Sequence, residues 1–146
     1  MSADATPRAS AAARSVFAAA AAYFALVFAA GCAAGIIRVM ILAPGLGRLG
    51  AVIAELPVML AISWLVCGWV LRVYKVPARW DVRFAIGTIA FVLLMLAEIG
   101  IAKFVFGRSL GEHFAAYRNL DGALGLAAQM ACGAFPVARL FAGMAD

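Results

Sequence analysis

Two glutamates, Glu55 and Glu98, lie within long apolar stretches of this 146-residue chain. A carboxylate held away from water can take up and release a proton near neutral pH, or bind a cation. An ionised side chain inside a bilayer also costs about 3 kcal/mol, and a nearby opposite charge lowers that cost. Each glutamate is therefore either a proton or cation site or one half of a structural ion pair.

Three further polar residues are predicted to lie at a similar depth. Arg38 precedes Pro44 by six residues, and Glu55 follows the same turn by a similar number, so both lie about 8–9 Å below that surface at about 1.5 Å per residue. We predict that Arg38 and Glu55 form an ion pair. Gln129 is predicted to hydrogen-bond to other polar side chains of the same layer. The predicted polar layer consists of Arg38, Glu55, Glu98, Lys103 and Gln129.

The two basic residues of the polar layer are enough to neutralise both glutamates, which favours a structural network. Glu98 is farther in sequence from a basic partner than Glu55, so it is the better candidate for a transport site. The sequence leaves these two interpretations open.

Small residues on two of the apolar stretches predict close helix packing. Gly31 and Gly35 are four residues apart and share a helix face with Arg38, and Gly125 lies on the same face as Gln129. Small residues let helix backbones approach closely within a bilayer. We therefore assign Gly31, Gly35 and Gly125 to helix packing.

These residues are positioned by four apolar segments, at about 15–42, 50–71, 84–106 and 122–142. The chain is 67% hydrophobic, well above the roughly 45–50% of an average soluble domain. Since only helices satisfy their own backbone hydrogen bonds in lipid, apart from closed barrels, the segments predict an all-α, four-helix transmembrane bundle. Residues 1–14 are predicted to form a flexible cytoplasmic tail, and 15–146 a single domain.

The distribution of basic residues predicts that both termini face the cytoplasm. Cytoplasmic loops carry an excess of Lys and Arg. Seven such residues fall on the side of the termini and the 72–83 loop, against five on the other: Arg8, Arg14, Arg72, Lys75, Arg79, Arg83 and Arg139, against Arg38, Arg48, Lys103, Arg108 and Arg118.

The third and fourth segments are joined by a sequence, SLGEHFAAYRNLD, that predicts a short helix at the membrane surface. Leu110, Phe114 and Tyr117 would lie on one side of it, with Glu112, His113 and Arg118 facing water. His113 is the only histidine, so we interpret it as solvated and expect no metal site. Asp121 is predicted to cap the fourth helix.

No nucleophile elbow, zinc-protease motif, phosphate-binding loop or dinucleotide fingerprint occurs in the sequence, so we expect neither an enzyme nor a cofactor. The chain has a net charge of +5, but it contains no stripe of Lys and Arg with aromatic residues between them. This pattern favours contact with anionic lipid over binding of nucleic acid.

The stretch Ala29-Ala30-Gly31-Cys32 offers an alternative for the first segment, because it loosely matches a bacterial lipoprotein signal with Cys32 as the lipidated residue. The residues after Cys32 remain apolar, which favours an intact span.

The first two segments resemble a family of small, uncharacterised four-span bacterial membrane proteins. The resemblance covers the first hairpin best and weakens beyond Trp64, and Glu55-Leu56-Pro57 is its most specific element; it rests on Gly31, Gly35, Arg38, Pro44, Gly47, Glu55, Pro57, Met59 and Leu60. It implies a multi-pass protein of the bacterial inner membrane and says nothing about mechanism.

Two functions are consistent with these patterns. The leading expectation is a non-enzymatic subunit that forms a homo-oligomer or joins another membrane protein through its small-residue faces and polar layer. The alternative is a small proton- or cation-coupled transporter or channel that uses Glu98 or Glu55.

Overall fold

The computed structural model describes residues 5–143, with side chains from Ser10 onwards, and this part of the chain contains helices and no strand. In chain order the elements are α1 (Ala5–Ile37), a π-helical turn (Arg38–Leu42), α2 (Ala43–Val73), α3 (Trp80–Phe104), α4 (Leu110–Ala115), a 3₁₀ turn (Ala116–Arg118) and α5 (Leu120–Ala142). The all-α prediction is confirmed for these residues.

The chain reverses direction at Gly47, inside the stretch assigned to α2. Gly47 has φ 73° and ψ 171°, a combination that is essentially restricted to glycine. Arg38 and Glu55 lie on opposite sides of it and their side chains are 3.2 Å apart, whereas a straight helix would separate the two residues by about 25 Å. The first two helices therefore form a hairpin.

The helix boundaries differ from the predicted segments mainly at the N-terminus. Helix α1 begins at Ala5, so residues 5–14, which were predicted to belong to a flexible tail, are helical. This stretch is rich in alanine, the strongest helix former, and continues directly into the apolar part of α1. Residues 1–4 of the predicted tail lie outside the described residues.

A buried core holds α1, α2 and α3 together near the loop that joins α2 to α3. It consists of Ala19, Ala20, Tyr23 and Val27 from α1, Cys67, Val70 and Leu71 from α2, and Ile86 and Ala90 from α3. We call this end of the bundle, which carries residues 72–83, the basic end. The opposite end, which carries Gly47 and α4, is called the cavity end.

Helix α5 packs against α3 by direct backbone contact. Gly87 of α3 faces Gly133 of α5, and a Cβ atom at Gly87 would overlap the Gly133 carbonyl oxygen. Only glycine permits this approach. The contact therefore fixes how far α3 and α5 are shifted along their axes relative to one another.

The outer surface of the helices is strongly apolar. Large side chains such as Leu65, Leu96 and Phe141 are between 60% and 67% exposed. Three helical stretches are long and apolar enough to cross a membrane: Ser10–Val73, Trp80–Phe104 and Leu120–Ala142. The first is 64 residues long and contains the reversal at Gly47.

Candidate functional site

A cavity of about 810 Å³ opens at the cavity end, bounded by α1, α2, α3, α4 and α5. Its walls are largely apolar, with residues such as Phe28, Met59 and Phe106. Its polar lining consists of Arg38, Glu55, Glu98, Arg108, His113 and Gln129. Four of the five residues of the predicted polar layer therefore line a single cavity.

The predicted ion pair between Arg38 and Glu55 is present in the cavity wall. Arg38 Nη1 lies 3.2 Å from Glu55 Oε2, with side-chain exposures of 37% and 15%. The buried Oε2 atom nevertheless accepts no well-aligned hydrogen bond from the described residues. The two side chains are therefore held together by the attraction of their charges, and Glu55 Oε2 can still accept a hydrogen bond.

Glu98 accepts hydrogen bonds from two residues, Gln129 and Tyr117, and a third residue, His113, contacts Tyr117. Gln129 Nε2 donates to Glu98 Oε1, and the Tyr117 hydroxyl donates to Glu98 Oε2 at 3.4 Å. Tyr117 Oη in turn lies 3.1 Å from His113 Nε2. We call Gln129, Glu98, Tyr117 and His113 the Glu98 network; the partnership of Gln129 was predicted and that of Tyr117 and His113 was not.

No lysine or arginine among the described residues forms an ion pair with Glu98. The expectation that Lys103 would help to neutralise the glutamates is wrong, because Lys103 is exposed and its ammonium group lies 5.7 Å from the Phe104 ring centre. Five residues along a helix correspond to about 140° of rotation, which turns Lys103 away from the face of Glu98. Glu98 is thus a carboxylate with hydrogen-bond partners but no counter-charge within pairing distance.

Helix α4 and the 3₁₀ turn that follows it bring His113 and Tyr117 to Glu98. Ser109 and Glu112 form a capping box: Ser109 Oγ accepts from Glu112 N at 3.2 Å, and Glu112 Oε2 accepts from Ser109 N at 2.8 Å. With the helix start fixed there, residues 113 and 117 share one face. The prediction that His113 faces water is therefore wrong. The Ser-x-x-Glu pattern of residues 109–112 is the sequence signal that could have indicated where this helix begins.

The Tyr117 hydroxyl stays protonated over the physiological range. Burial, followed by the charge of Glu98 and the hydrogen bond to it, raises the pKa of Tyr117 to about 12. The hydroxyl therefore remains a donor to Glu98 at neutral pH and can pass a proton between the histidine and the carboxylate.

The three glycines assigned to helix packing line the cavity instead. A Cβ at Gly31 would meet only Met59 Cε, at 3.7 Å, one at Gly35 would meet only Arg38, and one at Gly125 would meet nothing within 4 Å. The close backbone contact between helices within the chain is instead at Gly87, against Gly133. A Cβ would also overlap the Arg139 side chain at Gly68 and the preceding 3₁₀ turn at Gly122.

Asp121 also has a different role from the one predicted. The N-cap of α5 is Asn119, without a side-chain capping bond, and Asp121 lies in the first turn. Arg48 Nη2 donates to Asp121 Oδ2 at 2.8 Å, which links the start of α5 to the residue after the Gly47 reversal.

Two of the three cysteines line the cavity, the exposed Cys32 and the buried Cys132, and Cys67 is buried in the core. Within the described residues, no group of three His, Cys, Asp or Glu side chains is arranged to hold a metal ion. The cavity thus offers carboxylate and amide oxygens, which suit a proton, a monovalent cation or an N–H donor of a ligand.

The Arg38–Glu55 pair is expected to show energetic coupling. Arg38→Ala and Glu55→Ala should each lower the free energy of unfolding by about 1–2 kcal/mol, because each leaves its partner without a counter-charge at a partly buried site. The double variant should recover about 1 kcal/mol of the summed loss.

The free energies of unfolding of wild type, the two single variants and the double variant are measured by denaturant unfolding in detergent. Simple additivity would refute an energetic role for the pair, and the Arg48–Asp121 pair, with Arg48 81% exposed, is the control with weaker coupling.

No protein-family model, curated protein or solved structure matches the chain.

Proposed function

We propose that the chain crosses the bacterial inner membrane four times, with both termini in the cytoplasm. The reversal at Gly47 supports two spans within the 64-residue stretch Ser10–Val73, since a straight helix of that length would measure about 96 Å against a hydrocarbon core of about 30 Å. The excess of Lys and Arg at the basic end supports its cytoplasmic location. The cavity then opens towards the outside.

In this orientation we propose that the protein is a small proton- or cation-coupled transporter whose binding residue is Glu98. The observation that carries the proposal is that Glu98 lines a large cavity and forms no ion pair with a lysine or arginine of the described residues. A carboxylate kept only for structure would be neutralised by a fixed cation, as Glu55 is by Arg38. Glu98 instead has neutral partners, which tolerate both its protonated and its ionised form.

The side-chain oxygen next to Glu98 supports a cation as the species bound. The buried Oε1 of Gln129 accepts no hydrogen bond among the described residues, so it is available beside Glu98 as a second oxygen ligand. A cation that binds these oxygens displaces the proton of Glu98, which can leave through Tyr117 and His113. Competition between proton and cation for one carboxylate is the simplest basis for coupled exchange.

A second candidate, the accessory or oligomeric subunit, is favoured by the unpacked glycines. Gly31 and Gly35 present a small-residue face to the open cavity, and such faces commonly receive a neighbouring helix. In that case a helix of a second copy or of another membrane protein would fill the cavity and take the place of the transported ion. Native mass measurement after gentle extraction distinguishes a defined complex from a single chain.

The transport proposal is tested with the purified protein in liposomes that enclose a pH-sensitive dye and an acidic interior. Addition of Na⁺, K⁺ or a small organic ammonium ion outside should accelerate proton release from the vesicles at least about tenfold over protein-free liposomes, since exchange at Glu98 couples the two fluxes. Proton release at the protein-free rate with every cation tested would exclude the transporter and leave the subunit interpretation.

A further inference from the structure

Three arginines meet at the basic end, on the side of the bundle opposite to Glu98. The Arg139 guanidinium lies over the Trp64 ring, with Cζ 4.3 Å from the ring centre, and its Nη2 donates to the Trp64 carbonyl at 2.7 Å. It occupies the space that a side chain at position 68 would take, because a Cβ at Gly68 would overlap it. Its buried Nε has no hydrogen-bond acceptor among the described residues.

Arg72 and Arg83 each contact the backbone close to Arg139. Arg72 Nε donates to the Gly68 carbonyl at 3.2 Å, so Arg72 and Arg139 both touch Gly68. Arg83 donates from all three nitrogens: Nε to the Pro77 carbonyl at 3.2 Å, Nη2 to the Val76 carbonyl at 3.5 Å, and Nη1 to the Pro136 carbonyl at 3.4 Å, one helical turn before Arg139 on α5. Two N–H groups of Arg83 remain free. Each guanidinium is therefore oriented by backbone carbonyls and retains free N–H groups, since a guanidinium carries five donors.

No carboxylate among the described residues balances these three charges. Asp81, in the first turn of α3, is paired with Arg79 at 2.7 Å. Arg72 and Arg139 lie in the last turns of α2 and α5, where each helix terminus contributes roughly half a negative charge. Arg83 lies in the first turn of α3, where the helix dipole is unfavourable to a cation. A substantial positive charge remains.

We propose that Arg72, Arg83 and Arg139 form a binding site for one phosphate-type anion at the basic end. Guanidinium groups match the geometry of phosphate oxygens and bind them with charge-assisted hydrogen bonds. The anion is either the headgroup phosphate of an anionic lipid or free inorganic phosphate. The site is independent of Glu98 and of transport, and it differs from general attraction to a membrane surface because three specific arginines define it.

The test compares two single-charge variants from the same end of the protein. Arg72→Gln removes a side chain of the site that is exposed and not needed for the core. Arg79→Gln removes the same charge from an exposed arginine that already has an acidic partner. Binding is measured by native mass spectrometry and thermal shift in mixed micelles with phosphatidylglycerol or phosphatidylcholine, and separately with sodium phosphate against sodium chloride at equal ionic strength.

We expect wild type to retain one phosphatidylglycerol in preference to phosphatidylcholine, with binding about tenfold weaker in Arg72→Gln and nearly unchanged in Arg79→Gln. Stabilisation by sodium phosphate that also displaces the lipid would identify free phosphate as the occupant of the same site. Equal losses in the two variants, or no preference for either anion, would overturn the proposal. A chain that ends at Gly143 is the last control: binding gained only by that truncation would mean that the chain's own carboxylates occupy the site, which also overturns it.

Discussion

Proteoliposomes that carry Glu98→Gln are expected to lose cation-driven proton release to the protein-free rate, while the protein keeps its fold. Glutamine has nearly the shape of glutamate, and its carbonyl oxygen can still accept from Gln129 while its amide donates to Tyr117. It cannot ionise, however, so it can neither release a proton nor neutralise a bound cation. The expected loss is at least about tenfold in rate, with a change in free energy of unfolding below about 1 kcal/mol.

The matched control for this experiment is Glu112→Gln, which makes the same change in the capping box of α4. Glutamine can also accept from the N-cap backbone, so α4 and the position of His113 should be preserved. Proton release should then remain close to wild type. A Glu98→Gln protein with unchanged flux would eliminate Glu98 as the binding residue, and one that fails to fold would assign Glu98 to the structural network.

Gly87→Ala is expected to destabilise the bundle by roughly 2 kcal/mol or more. The added methyl group would overlap the Gly133 carbonyl oxygen, and neither backbone can move without separating α3 from α5. Overpacking costs about 1–3 kcal/mol where side chains can adjust, and backbone atoms adjust less easily. The better helix propensity of alanine offsets only about 1 kcal/mol of this loss.

Gly100→Ala, on the same helix, is the control for Gly87→Ala. A Cβ at Gly100 would meet nothing within 4 Å, so only the gain in helix propensity remains and the protein should be equally or slightly more stable. Thermal unfolding in detergent, followed by circular dichroism, compares the two variants with wild type. Equal behaviour of both variants would contradict the backbone contact between α3 and α5.

The sequence predicted those features that follow from the cost of charge in an apolar segment. Arg38 and Glu55 had to pair, and their equal distance from one turn placed them at one depth. Gln129 was likewise predicted to hydrogen-bond within the polar layer, since it interrupts an apolar stretch, and the structure identifies Glu98 as its acceptor. The all-α architecture followed from the same constraint on backbone hydrogen bonds.

The features that were missed depend on the rotation of each helix about its axis and on the docking of α4. Lys103 follows Glu98 closely in sequence, yet the turn of the helix directs it outward. The Gly31 and Gly35 pair has the spacing of a packing motif but faces a cavity, whereas Gly87 packs without any such motif. His113 and Tyr117 reach Glu98 only because α4 folds back over the cavity.

Cys32 is exposed, whereas Cys67 and Cys132 are buried. Labelling of Cys32 can therefore report whether the cavity is occupied in the unmodified protein. A thiol-reactive fluorophore small enough to enter the cavity should label Cys32 first, because Cys32 is exposed, whereas Cys132, which also lines the cavity, and Cys67 are buried. Anything that occupies the cavity, whether an ion with its shell, an organic amine or a neighbouring helix, should slow that labelling. Candidate ligands can thus be ranked by the protection they give, before the direction or stoichiometry of any flux is known.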